Sequence, residues 1–365
     1  MRSRSLLLGI LSLGAFGLTA CTEDTATEPT RTAEPGPTAP ELAVASNTWI
    51  TRAKMPTSWS GVATATVTNA AGQSIVYAIG GRNPIWNNPQ ATVVAYNATT
   101  NTWTFRQPLP VRLASSNGAG VIGGKIYISS GCTDHECFFP TDALYMYDPA
   151  TDTWTQKRSI PPDTSSGDYQ HAYGDGVTGV INDKLYVLSE RFVADPPWGY
   201  FESADPLFYR YNPGTDRWVQ LPGPSTVVGL YTGSPFLSGV IDGKFYVMGG
   251  NPWTPDAWFA VYDPATNRWT KLTTGFALAR YGAASAVLGA RLYVIGGNRY
   301  NAKTDSSENL AVTVRYDPTT GTWKRLADLP SPRTGIAASK VFVNGKARIE
   351  VVGGSGTSNN LQYVP

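Results

Sequence analysis

Six residues able to bind or polarise a ligand recur at one relative position in the chain. Three of them lie 15 residues before the tyrosine of a strand-like segment, and the other three match that place with small differences in length. The six are Trp59, Arg112, His171, Tyr231, Arg280 and Arg333. Guanidinium groups pair with carboxylates, and aromatic faces stack on sugar rings. This pattern predicts a site for a carboxylate-bearing or hydroxylated ligand; the alternative is that the arginines only bond to neighbouring loop carbonyls.

An unusually long segment adds further candidates near His171. It runs for 32 residues between Trp154 and Tyr186, against 24 in two equivalent segments. Tyr169 lies in this segment, and Trp198 lies in the next predicted loop. Long loops rich in charged and aromatic residues often carry function, although such a loop can also merely cover an edge.

Glu190 is the strongest single candidate for catalysis. It replaces the second glycine of a doublet that ends the equivalent segments, as in Gly80-Gly81. A partly buried carboxyl has a raised pKa and can act as a general acid or base, here with His171 and Arg112 as partners. The alternative is a salt bridge between Glu190 and Arg191.

Two cysteines bracket the short sequence CTDHEC. Outside the cytoplasm, Cys132 and Cys137 predict a disulfide. Together with Asp134 and His135 they could instead bind a metal, but zinc requires thiolates that an oxidising compartment does not preserve. We therefore expect no metal and no cofactor.

The N-terminal 45 residues predict export and anchoring. Residues 1–21 combine two arginines, an apolar run and small residues, and the ending Leu18-Thr19-Ala20-Cys21 resembles a bacterial lipobox, in which Cys21 carries the lipid. The alternative is an ordinary secretory signal with a chance cysteine. Residues 22–45 are rich in Thr, Pro, Ala and Glu and predict a disordered tether, which leaves residues 46–365 for the folded part.

Charge indicates which partners to expect. Without Arg2 and Arg4, the 29 Lys and Arg fall to 27 and equal the 27 Asp and Glu. A chain with no net charge predicts no nucleic-acid partner.

The elements that position these residues form a repeat. YDPATDTW, ending at Trp154, has near-copies ending at Trp103, Trp218, Trp269 and Trp323. Upstream of each copy lies a strand-like run, in most copies ending in glycines, such as VYAIGG or LYVIGG, and a sixth run, IEVVGG, ends at Gly354. Steps of 51 to 64 residues between the tryptophans indicate propeller blades.

This pairing of a glycine doublet with a downstream Tyr and Trp resembles the kelch repeat. The resemblance covers residues 46–365 and implies an all-β, six-bladed propeller. NTWITRAKMP reads as a final blade strand and LQYVP as a third strand, so the sixth blade should combine the N-terminal strand with three C-terminal strands. The tryptophans are expected to pack between neighbouring blades rather than bind ligand.

Function is open between binding, catalysis and a purely structural role in the envelope, in which the loops contact another protein. One hypothesis is a lipid-anchored, monomeric binding module that recognises a glycan or an envelope protein. A second rests on resemblance to the six-bladed kelch sialic-acid mutarotases and epimerases, which would make the protein a sugar isomerase. Galactose oxidase shares the kelch architecture, but its copper site needs two histidines, and the two here, His135 and His171, lie on different predicted loops.

Overall fold

The computed structural model describes residues 45–83, 85–114, 118–134, 141–162, 171–195, 200–228, 237–250, 257–274, 280–301 and 304–365. Within these ranges, the side chains of residues 171–175, 190–195, 200–205 and 226 are not described. Residues 44–365 cluster as one compact unit. No helix in the described ranges is long and apolar enough to cross a membrane.

The strands follow one another as four-stranded antiparallel sheets, numbered here as blades I to VI. The first strand, β1 (Thr48–Arg52), belongs to the last blade. Blade I contains β2 (Ala63–Thr68), β3 (Ser74–Ile79), β4 (Val93–Asn97) and β5 (Thr102–Arg106). Blade II contains β6 (Ala119–Ile122), β7 (Lys125–Ser129), β8 (Leu144–Asp148) and β9 (Thr153–Lys157).

The next two blades have the same order but differ in strand length. Blade III contains β10 (His171–Ile181), β11 (Lys184–Asp195), β12 (Tyr200–Asn212) and β13 (Arg217–Leu221), and is followed by the short helix α1 (Ser225–Val228). Blade IV contains β14 (Leu237–Ile241), β15 (Lys244–Gly250), β16 (Ala257–Asp263) and β17 (Arg268–Leu272).

Blade V carries an inserted hairpin. Its four strands are β18 (Ala284–Leu288), β19 (Arg291–Ile295), β22 (Thr313–Asp317) and β23 (Thr322–Arg325). The hairpin, β20 (Asn298–Asn301) with β21 (Ser306–Asn309), lies between β19 and β22 in the chain.

Blade VI closes the ring as the sequence predicts. It is made of β24 (Ile336–Val343), β25 (Lys346–Gly353), β26 (Asn360–Val364) and β1, which pairs antiparallel with β26 from Thr48↔Val364 to Arg52↔Asn360. The innermost strands β2, β6, β10, β14, β18 and β24 contact one another in a closed circle. Closure pairs the sheet edges that an open array would expose.

The octapeptide repeats because it clamps each blade to its neighbour. Its tyrosine hydroxyl donates to an Asn or Asp side chain five residues later, at 2.5 to 2.8 Å, in the pairs Tyr96–Asn101, Tyr147–Asp152, Tyr211–Asp216 and Tyr262–Asn267. In blade VI the same bond joins the two ends of the chain, from Tyr363 to Asn47 at 2.8 Å. The Asn or Asp oxygens at residues 47, 101, 152 and 216 also accept a backbone N–H from the preceding blade.

The tryptophans complete this clamp. In five blades the indole N–H donates at 2.7 to 2.9 Å to a carbonyl of the preceding blade, in the pairs Trp49–Ala327, Trp103–Ala53, Trp154–Gln107, Trp218–Arg158 and Trp269–Pro222. In blade V, the indole nitrogen of Trp323 is buried without a hydrogen-bond partner. Trp218 and Trp269 are buried and the others are partly buried. The expected packing of the tryptophans between blades is confirmed. The indole hydrogen bonds also fix the orientation of each of these five rings relative to the preceding blade.

Candidate functional site

The predicted ligand-binding positions lie on one face of the propeller. At this face, which we call the loop face, the innermost strands begin and the second strands end. The opposite face, the turn face, carries the short turns between first and second strands and between third and fourth strands.

Backbone hydrogen bonds establish which residues on the loop face are equivalent. The N–H of a glycine at the end of a second strand donates to a carbonyl of the next blade at 2.8 to 2.9 Å, in the pairs Gly81–Leu113, Gly297–Arg333 and Gly354–Trp59. The residue after that carbonyl pairs with the end of its own second strand, as in Ser60↔Arg82, Ala114↔Cys132 and Tyr281↔Asn298. By this register Trp59, Leu113, Arg280 and Arg333 occupy equivalent positions.

The placement of Arg112 at this position is wrong by one residue. Leu113, which is buried, occupies the place of Trp59, and Arg112 is exposed. Counting back from the tyrosine assumes a constant length, but the interval from Leu113 to Tyr127 is 14 residues and that from Trp59 to Tyr77 is 18. The loop lengths differ, so a gapless count misaligns the blades.

Arg280 is a buried cation with few partners. Its side chain is 4% exposed and packs on Gly297, where a Cβ atom would meet the Arg280 side chain at 3.0 Å. Nη1 donates to the Gly296 carbonyl at 3.0 Å, while Nε has no partner. Burial, with a smaller effect from Arg299, lowers the pKa of Arg280 to about 10. The loop-carbonyl alternative therefore accounts for one of the five N–H donors.

Arg333 repeats this situation in the adjacent blade. It is 5% exposed, Nη2 donates to Ser331 Oγ at 3.0 Å, and neither Nε nor Nη1 has a partner. Burial lowers the pKa of Arg333. In the described ranges, no acidic side chain forms an ion pair with either arginine. Two positive charges are thus held without a counter-charge around the doublet Gly296-Gly297.

These positions lead directly into the central channel. Trp59, Arg280 and Arg333 are each three residues before a residue that lines it, namely Val62, Ala283 and Ile336. The channel encloses about 400 Å³ and is lined mainly by small side chains of all six innermost strands. Three residues span at most about 10 Å, so the backbone of each arginine lies near the loop-face mouth, although neither arginine lines the channel itself.

Hydroxyl groups give the channel its polar character. Threonine and serine side chains line it at positions 64, 66, 178, 238, 285 and 339. Ser238 Oγ donates to the Thr178 carbonyl at 3.1 Å, and Ser285 Oγ donates to the Ser238 carbonyl at 2.8 Å. Thr66 Oγ1 is buried and has no partner. Sequence reasoning missed these residues; the signal was the run of small and hydroxylated residues in each innermost strand.

The structure also corrects the loops of blade III. The residues around His171 and Glu190 were expected in loops, but His171 begins β10, opposite Val193, and Glu190 lies within β11. Both β11 ladders shift register between Ser189 and Arg191, so Glu190 is the single residue opposite a two-residue bulge in β10 and another in β12. The consecutive apolar residues Phe192, Val193 and Ala194 are compatible with a longer strand.

Several predicted site residues fall outside the described part. Tyr169, Trp198 and Tyr231 are not described, and the side chains of His171 and Glu190 are not described either. Their convergence with one another stays a prediction. Trp59 is described and is 3% exposed, packed in a buried apolar cluster.

The predictions for the cysteines also involve residues outside the described ranges. Cys132 is buried, and Cys137 lies outside the described residues, so the disulfide between them stays a prediction. In the described ranges, no group of three or more His, Cys, Asp or Glu side chains is placed to hold a metal ion. Cys21 also lies outside these ranges.

Comparison with known proteins agrees with this architecture. A family model described as "Kelch motif" matches residues 63–110, 232–275 and 279–330. The chain is similar to the Kelch-like protein terF of Aspergillus terreus, with 28% identity over 76% of this chain and 58% of that protein. It is 30% identical to human Kelch repeat and BTB domain-containing protein 12 over 48% of this chain and 28% of that protein. The chain thus spans less than two thirds of the length of these two relatives.

Two further matches cover most of the length of the similar protein. An N-(sulfonatooxy)prop-2-enimidothioate sulfolyase of Thlaspi arvense is 24% identical over 78% of this chain and 86% of that protein. The structure of YjhT superposes with a TM-score of 0.61 at 14% identity, covering 84% of this chain and 94% of that one. Fold and motifs together define the chain as a six-bladed kelch-type β-propeller.

Proposed function

We propose that this propeller is a binding module whose loop face recognises a carboxylate-bearing carbohydrate. The observation that carries this proposal is the pair of buried guanidinium groups, Arg280 and Arg333, at the mouth of a hydroxyl-lined channel. A carboxylate accepts two parallel N–H bonds from an arginine, and ring hydroxyls match serine and threonine hydroxyls.

Charge burial supports a ligand rather than a purely structural role. Removing an ion from water costs several kcal/mol unless a partner of opposite charge repays it. Among the described residues, Arg280 and Arg333 each form one hydrogen bond to a neutral acceptor, which repays little of that cost. A bound carboxylate would supply the missing charge and acceptors.

The size of the channel fits the same class of ligand. Small-molecule sites enclose about 300 to 1,000 Å³. The channel's 400 Å³ lies within that range and is large enough for a monosaccharide or a short oligosaccharide end.

The test is a glycan array probed with the protein from Ser46 to Pro365. We expect binding to carboxylate-bearing glycans and a loss of at least tenfold in affinity for Arg280→Met and for Arg333→Met. Arg268→Gln, an exposed arginine in β17 at the turn face, is the matched control and should bind like wild type. Binding confined to neutral glycans, or unchanged in both arginine variants, would refute the proposal.

A stability measurement separates binding from structure. If Arg280 serves a ligand, Arg280→Met removes an uncompensated buried charge and should keep or raise the melting temperature while binding is lost. A lower melting temperature with unchanged ligand binding would assign Arg280 a structural role.

Catalysis is a possible outcome of the same experiment. The sugar isomerase alternative requires Glu190 and His171 near the ligand. One similar protein, from Thlaspi arvense, is named as an enzyme, an N-(sulfonatooxy)prop-2-enimidothioate sulfolyase. Anomer exchange of a bound acidic sugar, followed by NMR and lost in Glu190→Gln, would favour the enzyme. Binding without accelerated exchange would favour the module.

Export and lipid anchoring remain part of the proposal. The lipobox-like ending at Cys21 and the Thr- and Pro-rich stretch after it support a tethered propeller at the cell envelope. Wild type should partition with membranes, and Cys21→Ala should release it into the soluble fraction. Equal partitioning of the two proteins would refute the anchor.

A further inference from the structure

A second cavity lies between blades I and II, away from the channel. It encloses about 500 Å³, and its rim consists of turns of the turn face, near Ala70, Gly123 and Pro149. It is therefore separate from the loop-face site. None of the sequence motifs pointed to it.

The cavity exists because one side chain is small. The second strand of each blade carries one residue, a tyrosine in blades I to V and Glu350 in blade VI, that faces the next blade. We compare the third-strand residue that pairs with it in each blade. In blade I this residue is Ala95, paired with Tyr77. The equivalent residues in blades II to VI are larger: Met146, Arg210, Val261, Arg315 and Gln362. Ala95, followed by Thr104 on the fourth strand, leaves the space open.

One wall of the cavity is apolar and one is cationic. Ile75, Tyr77 and Ala95 form the apolar wall, and burial raises the pKa of Tyr77 so that its phenol stays neutral. Arg106 on the fourth strand lines the cavity, and its Nε is buried without a hydrogen-bond partner.

The acidic groups nearby are already engaged. Asp148 at the rim forms an ion pair with Lys125. Asp152 lies within electrostatic reach of Arg106, but its Oδ1 accepts hydrogen bonds from the Tyr147 hydroxyl and the Gln107 N–H. Neither carboxylate forms an ion pair with Arg106 in the described ranges, and Arg106 supplies the positive charge of this cavity wall.

We infer that this cavity binds a small organic acid, with the ligand's apolar body against Tyr77 and Ala95 and its carboxylate on Arg106. The volume is within the usual range for small-molecule sites, about 300 to 1,000 Å³. A guanidinium donor next to an aromatic and aliphatic wall is suited to an aryl carboxylate. The inference is independent of the proposed function at the loop face.

The test uses benzoate as probe and benzyl alcohol as its neutral counterpart. We expect benzoate, but not benzyl alcohol, to shift amide resonances of blades I and II in NMR spectra of the protein from Ser46 to Pro365. Ala95→Met, which installs the side chain that blade II carries at this place, should abolish the shifts and raise the melting temperature. Arg106→Gln should weaken benzoate binding at least fivefold.

Val261→Met is the control, because it makes a similar change at the equivalent position of blade IV. It should leave the benzoate shifts intact. Unchanged benzoate binding in folded Ala95→Met, or equal binding of benzyl alcohol and benzoate, would overturn the inference. If Ala95→Met fails to fold, Arg106→Gln decides: unchanged benzoate affinity in that variant would overturn it as well.

Discussion

Glu350 accepts a hydrogen bond from Gln362 at 2.8 Å, at a place where the second strand of every other blade carries a tyrosine. Those tyrosines each pack against an aromatic ring of the next blade, with centroid distances of 5.5 to 6.2 Å. Glu350 instead faces Tyr96 of blade I across the seam that closes the ring. At the interface between blades VI and I, which closes the ring, the carboxyl group of Glu350 thus takes the place of the aromatic contact found at the other five interfaces.

This substitution predicts a pH-dependent stability. Glu350 is fully buried, and burial raises its pKa to about 7, against smaller opposing effects of Gln362, Arg52 and Asn360. The folded state then holds a proton that the unfolded chain releases near pH 4.5. Stability from this group is complete below about pH 4.5 and falls as the pH rises towards about 7.

Glu350→Gln should therefore stabilise the protein by about 1–3 kcal/mol at pH 8 and change little at pH 4. Arg52 keeps its bonds to the Tyr96 hydroxyl and the Ala98 carbonyl in the variant. Urea unfolding at the two pH values measures the difference. A variant less stable than wild type at pH 8 would show that the charged carboxylate is needed at the seam.

The clamp in the octapeptide predicts that the same substitution, tyrosine to phenylalanine, lowers the free energy of unfolding by different amounts in different blades. Tyr147→Phe removes a hydrogen bond to Asp152 and should cost about 1–3 kcal/mol. Tyr316→Phe in blade V is the control, because the residue five positions later is Gly321, which has no side chain to accept. Urea unfolding should show a loss in Tyr147→Phe and little in Tyr316→Phe; equal losses would contradict the role of the clamp.

The same clamp predicts how the protein responds to acid. Hydrogen bonds from Tyr147 and Tyr211 are the largest influence on Asp152 and Asp216, respectively, and lower the pKa of each. Their contribution is present above the unfolded pKa, about 3.9, and is lost as the pH falls through the lower folded value.

Blades I and IV use Asn101 and Asn267 at this place, so asparagine can make the bond without titrating. Asp152→Asn with Asp216→Asn should flatten the loss of stability below pH 4, measured by thermal unfolding. An acid transition with an unchanged midpoint would exclude these two aspartates as its source.

The repeat made the fold predictable, and the exceptions to the repeat limited the site. Tyr96, Trp103 and their copies recur at a fixed spacing, so blade number and the joining of β1 to β26 follow from counting. Loop lengths differ from blade to blade. Counting residues back from the tyrosine therefore placed Arg112 at the position of Trp59, which the backbone hydrogen bonds assign to Leu113.

Burial was the second limit. A sequence shows that Arg280 and Arg333 are arginines, but only packing shows that they are enclosed with little compensation. In the same way, the sequence gives no reason to single out Ala95. Its small size matters only when the structure shows that the equivalent third-strand residues of the other blades are larger.

The most direct test of the account is the affinity of the wild-type protein for one carboxylate-bearing glycan from the array, compared with the same glycan after reduction of its carboxyl to an alcohol. Isothermal titration calorimetry of both ligands gives the ratio in one experiment. The account predicts binding at least tenfold tighter for the carboxylate, because the guanidinium groups of Arg280 and Arg333 gain a counter-charge only from that ligand. Equal affinity for the two ligands would contradict it.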